Sequence, residues 1–198
     1  TVKTRSAQAR LATVQGNLEA AEPWVRGIGL SVPDRPIPLF DEPSITQARV
    51  LIAENTPDSL CKATELLAGI HELALTTHNA RRLIEVLALQ ALTQQGLGRE
   101  DTALDMLRQS VTLAQPGGFV RLYVDLGRPM LALLTKLAKL GVAPNYLHRL
   151  LAAFALADVE IVTNAPGDVM RAAAPAELLL TPRELEILSL IAEGKTTA

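Results

Sequence analysis

Apolar residues recur at steps of three and four along most of this chain, in stretches separated by short breaks rich in Gly, Pro and Asn. That period puts side chains on one face of an α-helix. Leu60, Ala63, Leu67, Ile70 and Ala74 form the clearest stripe, and the spacing predicts a helix from Pro57 to about residue 76. Thr56-Pro57 opens it, because a threonine hydroxyl caps a helix start and proline has no N–H to lose at the first helical position. Asn79 is placed to cap the next helix, which runs to about Gln95 and is ended by Gly96. It carries Leu83, Leu87 and Ala91 on one face with Ile84, Ala88 and Leu92 beside them. A helix this apolar is buried on more than one side.

The same pattern extends both ways. Two short helical segments flank Gly16-Asn17, with Ala9, Leu11 and Val14 before it and Leu18, Ala21, Trp24 and Val25 after it. Val32 to Pro43 holds prolines at 33, 36, 38 and 43 and reads as a loop, since each removes a donor and pushes its predecessor out of helix. Ser44 with Gln47 predicts a capping box for a helix of about 45 to 54. Residues 100 to 114 predict another, with Ala103, Leu104, Leu107 and Val111 inward, broken by Pro116-Gly117-Gly118. Phe119 to Leu126 fits helix or strand by pattern, and its surroundings favour helix. Further helices start at Pro129, ending by Gly141, and at Pro144, running to Ala157. Short links make neighbouring helices antiparallel, and no strand alternation is present.

The helices also repeat. Arg82-Leu83 is echoed by Arg121-Leu122, and Ala63 with Leu67 by Ala103 with Leu107, each about 40 residues on, the period of helical-hairpin arrays. The central hairpin resembles the tetratricopeptide repeat (TPR), with Ala91 and Ala103 at the small positions where the two helices cross, Leu107 and Ser110 below them, and Pro116 near the terminal proline. Leu87 and Gln94 stand where that family usually has tryptophan and tyrosine. The expected fold is all-α, TPR-like antiparallel hairpins stacked into a right-handed superhelix.

The last stretch, Leu178 to Ala198, has Thr181, Pro182 and Glu184 at the positions of a capped helix start, with Leu185, Leu188 and Ile191 on one face. Its run LTPRELEILSLIAEG closely resembles the opening helix of the LuxR-type helix-turn-helix domain, and the chain stops at Ala198 before a second helix. Gly194-Lys195-Thr196 imitates the end of a phosphate-binding loop, but that loop needs a glycine where Ser189 stands within a helix, so nucleotide binding is rejected there.

Helical repeats, a Pro/Gly-containing linker and this helix, in that order, resemble the C-terminal part of the large ATP-dependent, MalT-like regulators of the LuxR type. The expected domains are a TPR-like sensor over 1–157, a linker over 158–177, and a truncated start of the DNA-binding domain over 178–198. The resemblance implies an effector-sensing and protein-interaction region that controls DNA binding by a C-terminal helix-turn-helix. It implies ATP only for an N-terminal part absent from this sequence, so no cofactor is expected here. DNA contact is implied only through the recognition helix that follows in the family, and no residue of this chain is assigned to it. The expected partner is a small-molecule inducer or a regulatory protein, with homo-oligomerisation left open. The alternative reading is a helical-repeat scaffold that binds a protein or peptide and takes no small molecule.

Composition agrees with this picture. Hydrophobic residues make up 48% of the 198 but aromatics only 3%, and the filling is Leu and Ala, the best helix formers. A formal charge of −2 supplies no electrostatic footprint for nucleic acid. Cys61 is the single cysteine, which excludes an internal disulfide, and it is expected to be a small core residue. No signal peptide or bilayer-spanning run is seen, so no membrane partner and a cytoplasmic location are expected, with Thr1 lying inside a domain.

The first helix of each stacked hairpin lines the concave face of such an array, where ligands bind. In the central hairpin that face offers Glu85, Leu92 and Gln95, with Arg82 one turn away and Arg121 in the following unit. These five are the candidate ligand-binding residues. The competing reading of Arg82 and Glu85 is a solvated i,i+3 pair. His71, His78 and His148 are scattered, without carboxylate or Cys partners at ligand spacing, so neither a metal site nor catalytic residues are expected and the chain reads as non-enzymatic.

Overall fold

The computed structural model describes residues 2–27, 29 and 43–163. Over these the chain folds as α1 (Val2–Val14), α2 (Leu18–Gly27), α3 (Pro43–Glu54), α4 (Pro57–Thr76), α5 (Ala80–Gly96), α6 (Glu100–Ala114), α7 (Arg121–Val124), α8 (Gly127–Lys139) and α9 (Pro144–Thr163). No strand occurs among the described residues. The protein is all-α and TPR-like, as its hydrophobic period predicts.

The helix starts follow side-chain chemistry. Thr56 Oγ1 accepts from the Ser59 N–H at 3.1 Å, while Ser59 Oγ accepts from the Thr56 N–H at 3.0 Å, a reciprocal capping box closed by serine. Asn79 Oδ1 accepts from the Arg82 N–H at 3.0 Å and so starts α5. The expected box at Ser44 does not start α3. Pro43 is already its first residue, because the fixed proline φ suits that position, and Ser44 and Gln47 are both buried inside the helix. At the far end of α5 the helix includes Gly96, and Gly98 takes the left-handed conformation at φ +74°. Gly96 serves packing instead: a Cβ there would lie 2.8 Å from Asn55 Oδ1 and 2.9 Å from Leu60 Cδ1. Two further boundaries differ from expectation. α8 begins at Gly127, ahead of Pro129, and α9 runs past Ala157 to Thr163.

Hairpins α1/α2, α3/α4 and α5/α6 pack helix on helix, and the second helix of each meets the first of the next, as α2 does α3 and α4 does α5. The first helices α1, α3 and α5 also touch in succession, so they share one face. Among the described residues the main helix contacts join each hairpin to its neighbours, which is the packing rule of a repeat array. The core divides accordingly. Ala9, Ala12, Ala21, Val25, Val50 and Leu51 join α1, α2 and α3. Ile45, Ala48, Leu67, Ile70, Val86 and Leu89 join α3, α4 and α5. Leu107, Tyr123, Leu133, Leu137, Leu147 and Leu150 close α6 to α9.

The stripe Leu60, Ala63, Leu67, Ile70 and Ala74 is buried throughout. Cys61, expected in the core, is exposed. It follows Leu60 by one residue, and a 100° step carries it off the buried stripe. The expected proline-rich loop before Pro43, the part of the expected 158–177 linker beyond Thr163, and the helix expected within Leu178–Ala198 with its Leu185, Leu188 and Ile191 face lie outside the described residues.

Candidate functional site

The face shared by α3 and α5 carries a charge cluster. The Asn79 cap sets the first turn of α5 and places Arg82 one turn before Glu85 on the same side. Arg82 Nη1 donates to Glu85 Oε2 at 2.7 Å. From α3, Arg49 Nη2 donates to Glu85 Oε1 at 3.0 Å. The carboxylate is therefore divided, one oxygen to each guanidinium, and it ties the first helices of two consecutive hairpins. The side chains of Arg49, Glu85 and Arg82 are 9%, 12% and 13% exposed. This is a buried network rather than a solvated pair, and a charge so far from water is held only by its partners. Arg49 Nε, also buried, has no hydrogen-bond partner.

Of the other candidates, Leu92 is buried and packs in the core with Ala88 and Ala91. Gln95 is half-buried near the end of α5, where its carbonyl accepts from the Gly98 N–H. Arg121 lies on α7 with its side chain 79% exposed and pairs with Asp125 of the same helical turn. The structure thus joins Arg82 to Glu85, and ties them to Arg49 rather than to Arg121. Arg49 escaped the sequence reading. Its signal is that it is the sole charge between Ser44 and Ala53, in a stretch otherwise built for burial.

A second polar group lies deeper. Ser110 Oγ donates to the Ile84 carbonyl at 2.8 Å and accepts from Tyr123 OH at 2.8 Å, joining α5, α6 and α7. Burial is the main cause that pushes the Tyr123 phenol well above its ordinary pKa, with the Ser110 bond opposing. Tyr146 OH donates to the Phe119 carbonyl at 2.5 Å. Its pKa is raised to about 12 by burial, opposed by the Arg149 guanidinium that lies over its ring. These bonds tie α7 and the segment before it to α5, α6 and α9.

His71 Nδ1 lies 3.1 Å from Gln90 Oε1, a contact between α4 and α5, and His78 and His148 are exposed. No group of three metal-ligating side chains occurs among the described residues. No described helix is long and apolar enough to cross a membrane.

The hairpin order, the shared first-helix face and the buried Ala91 and Ala103 at the α5–α6 crossing are features of a TPR array. Comparison with family models adds the deciding observation: the model for the MalT-like TPR region matches residues 1–140. The chain belongs to the MalT-like TPR region family. No curated protein and no solved structure matches it. In this MalT-like region the match spans α1 to α8, so the Arg49–Glu85–Arg82 cluster and the Ser110 network both lie inside it.

Proposed function

We propose that this MalT-like TPR region is the effector-sensing and protein-interaction part of a LuxR-type transcription regulator. It controls DNA binding by a helix-turn-helix that follows it, and an ATPase belongs to the preceding part of such a protein. The observation that carries the reading is the family match over residues 1–140. The buried charge cluster on the face of α3 and α5 supports it, because polar side chains gathered on the first-helix face are what a ligand or peptide would meet. In this reading the chain performs no catalysis, takes no cofactor, and works in the cytoplasm.

The test is a thermal-shift screen of the full chain against a metabolite panel, alongside capture of protein partners. A saturable stabilisation by at least one metabolite is expected. Failure of every compound, together with a captured protein seated on the first-helix face, would replace the sensor by a plain protein-binding scaffold.

A further inference from the structure

We propose that Arg49, with the Glu85 carboxylate as its displaceable partner, is a subsite for an anionic group of the effector, a carboxylate or a phosphate. This rests on the sensor reading above and names its ligand class. Arg49 is nine-tenths buried, yet only one arm of its Nε/Nη2 edge is used: Nη2 meets Glu85, while the adjacent Nε–H has no partner. That edge is a fork matched to two oxygens of one anion. Glu85 does not fill it, because its second oxygen is committed to Arg82 on its own helix. A buried donor on a cation calls for an acceptor, and the unpaired Nε–H is where an incoming anion finds one of its two bonds.

An incoming carboxylate or phosphate takes both arms, Nε–H and Nη2–H, in the bidentate geometry that a divided Glu85 does not supply. It displaces Glu85 Oε1 from Arg49 and leaves Oε2 on Arg82. The displaced contact joins α3 of one hairpin to α5 of the next. The effector therefore exchanges a tie between consecutive hairpins for a tie to itself. That differential contact is what a sensor needs to convert occupancy into a change of packing. A neutral sugar offers this fork only uncharged hydroxyl oxygens, which accept more weakly than an anion.

The test titrates the full chain with inorganic phosphate and, separately, with succinate, at ionic strength held constant with sodium chloride. The readouts are the Arg49 Nε–H resonance, assigned by its loss in Arg49→Lys, and the melting midpoint. The expected result is a saturable downfield shift with at least one anion and a midpoint rise of roughly 3 to 6 °C at ten times its dissociation constant. Arg49→Lys keeps the charge and the Glu85 partner but lacks the fork, and it should weaken binding at least about tenfold while remaining folded. A response to phosphate alone or to succinate alone supports the site and tells which group it takes. No saturable response in the wild-type chain, or an equal response in Arg49→Lys, overturns it. A neutral metabolite that stabilises wild type and Arg49→Lys alike also overturns this site while leaving the sensor reading intact.

Discussion

Ser110 illustrates how one side chain serves two purposes at the residue scale. It occupies a small position of the α5–α6 crossing, where a bulky group would hold the helices apart, and its hydroxyl partners both the Ile84 carbonyl and Tyr123 OH. Ser110→Ala keeps the small size but leaves two buried polar groups without their partner. Urea unfolding should show a loss of about 1 to 3 kcal/mol. Tyr123→Phe leaves the Ser110–Ile84 bond in place, and it should cost less than Ser110→Ala in the same measurement. The two tyrosines also set an alkaline limit. Their phenols titrate above the ordinary value of 10.0 in the folded chain, Tyr146 at about 12, so their contribution to stability is complete below pH 10. The Tyr146 share is lost as pH rises from 10 through about 12, and the Tyr123 share goes on falling above that, because the unfolded chain ionises first. Denaturation midpoints measured across that window should fall, and Tyr146→Phe should flatten the fall.

Size was legible at Ser110 from the repeat register, and its hydrogen bonds were not, since Tyr123 comes from a segment whose pattern fits helix or strand. Arg82 and Glu85 were legible as neighbours through their i,i+3 spacing. Their burial was not, because it depends on Arg49 from a helix 36 residues earlier. Local spacing carries no information about which distant helix lands on a face. Cys61 shows the converse error: a small apolar side chain next to the stripe belongs outside it when the helical phase is followed.

Among elements, boundaries with a capping side chain were readable to the residue. Thr56 and Asn79 each accept the N–H three positions on, and the Pro57–Thr76 helix has the limits its stripe predicts. Boundaries set by backbone preference were less so. Pro43, Gly127 and Gly98 decide three of them, and in each case a neighbouring Ser, Pro or Gly offers an equally good signal. Gly96 records a packing demand of α4 on α5 that resembles a stop signal. The crossing of α5 and α6 offers a sharper test. Ala91 and Ala103 are both fully buried there. Ala91→Trp or Ala103→Trp should force the helices apart and cost at least the roughly 1 to 3 kcal/mol of overpacking. Circular dichroism melts that show no drop in midpoint for both variants would disprove the repeat register.

At the scale of the molecule, the described residues bury their apolar side chains in three core clusters that follow the order of the hairpins, and Ile52 of α3 packs against all three. An array held by neighbour contacts transmits a local change only through such junctions. Arg49 lies three residues before Ile52 on the same helix, so the charge cluster sits beside the place where the clusters meet. The repeat order was legible from the period of about 40 residues, because each hairpin is a local unit. What lies on the face of α1, α3 and α5 was legible only in part, because side chains from three separate hairpins build it.

That face is where an effector is expected to bind. Hydrogen exchange of the full chain, with and without the strongest stabilising compound from a metabolite panel, tests it most directly. Slowed exchange is expected to concentrate on α3 and α5 around Arg49 and Glu85, with the amides of α2, α4 and α6 little changed. Protection confined to α2, α4 and α6, or no compound that slows exchange anywhere, would contradict it.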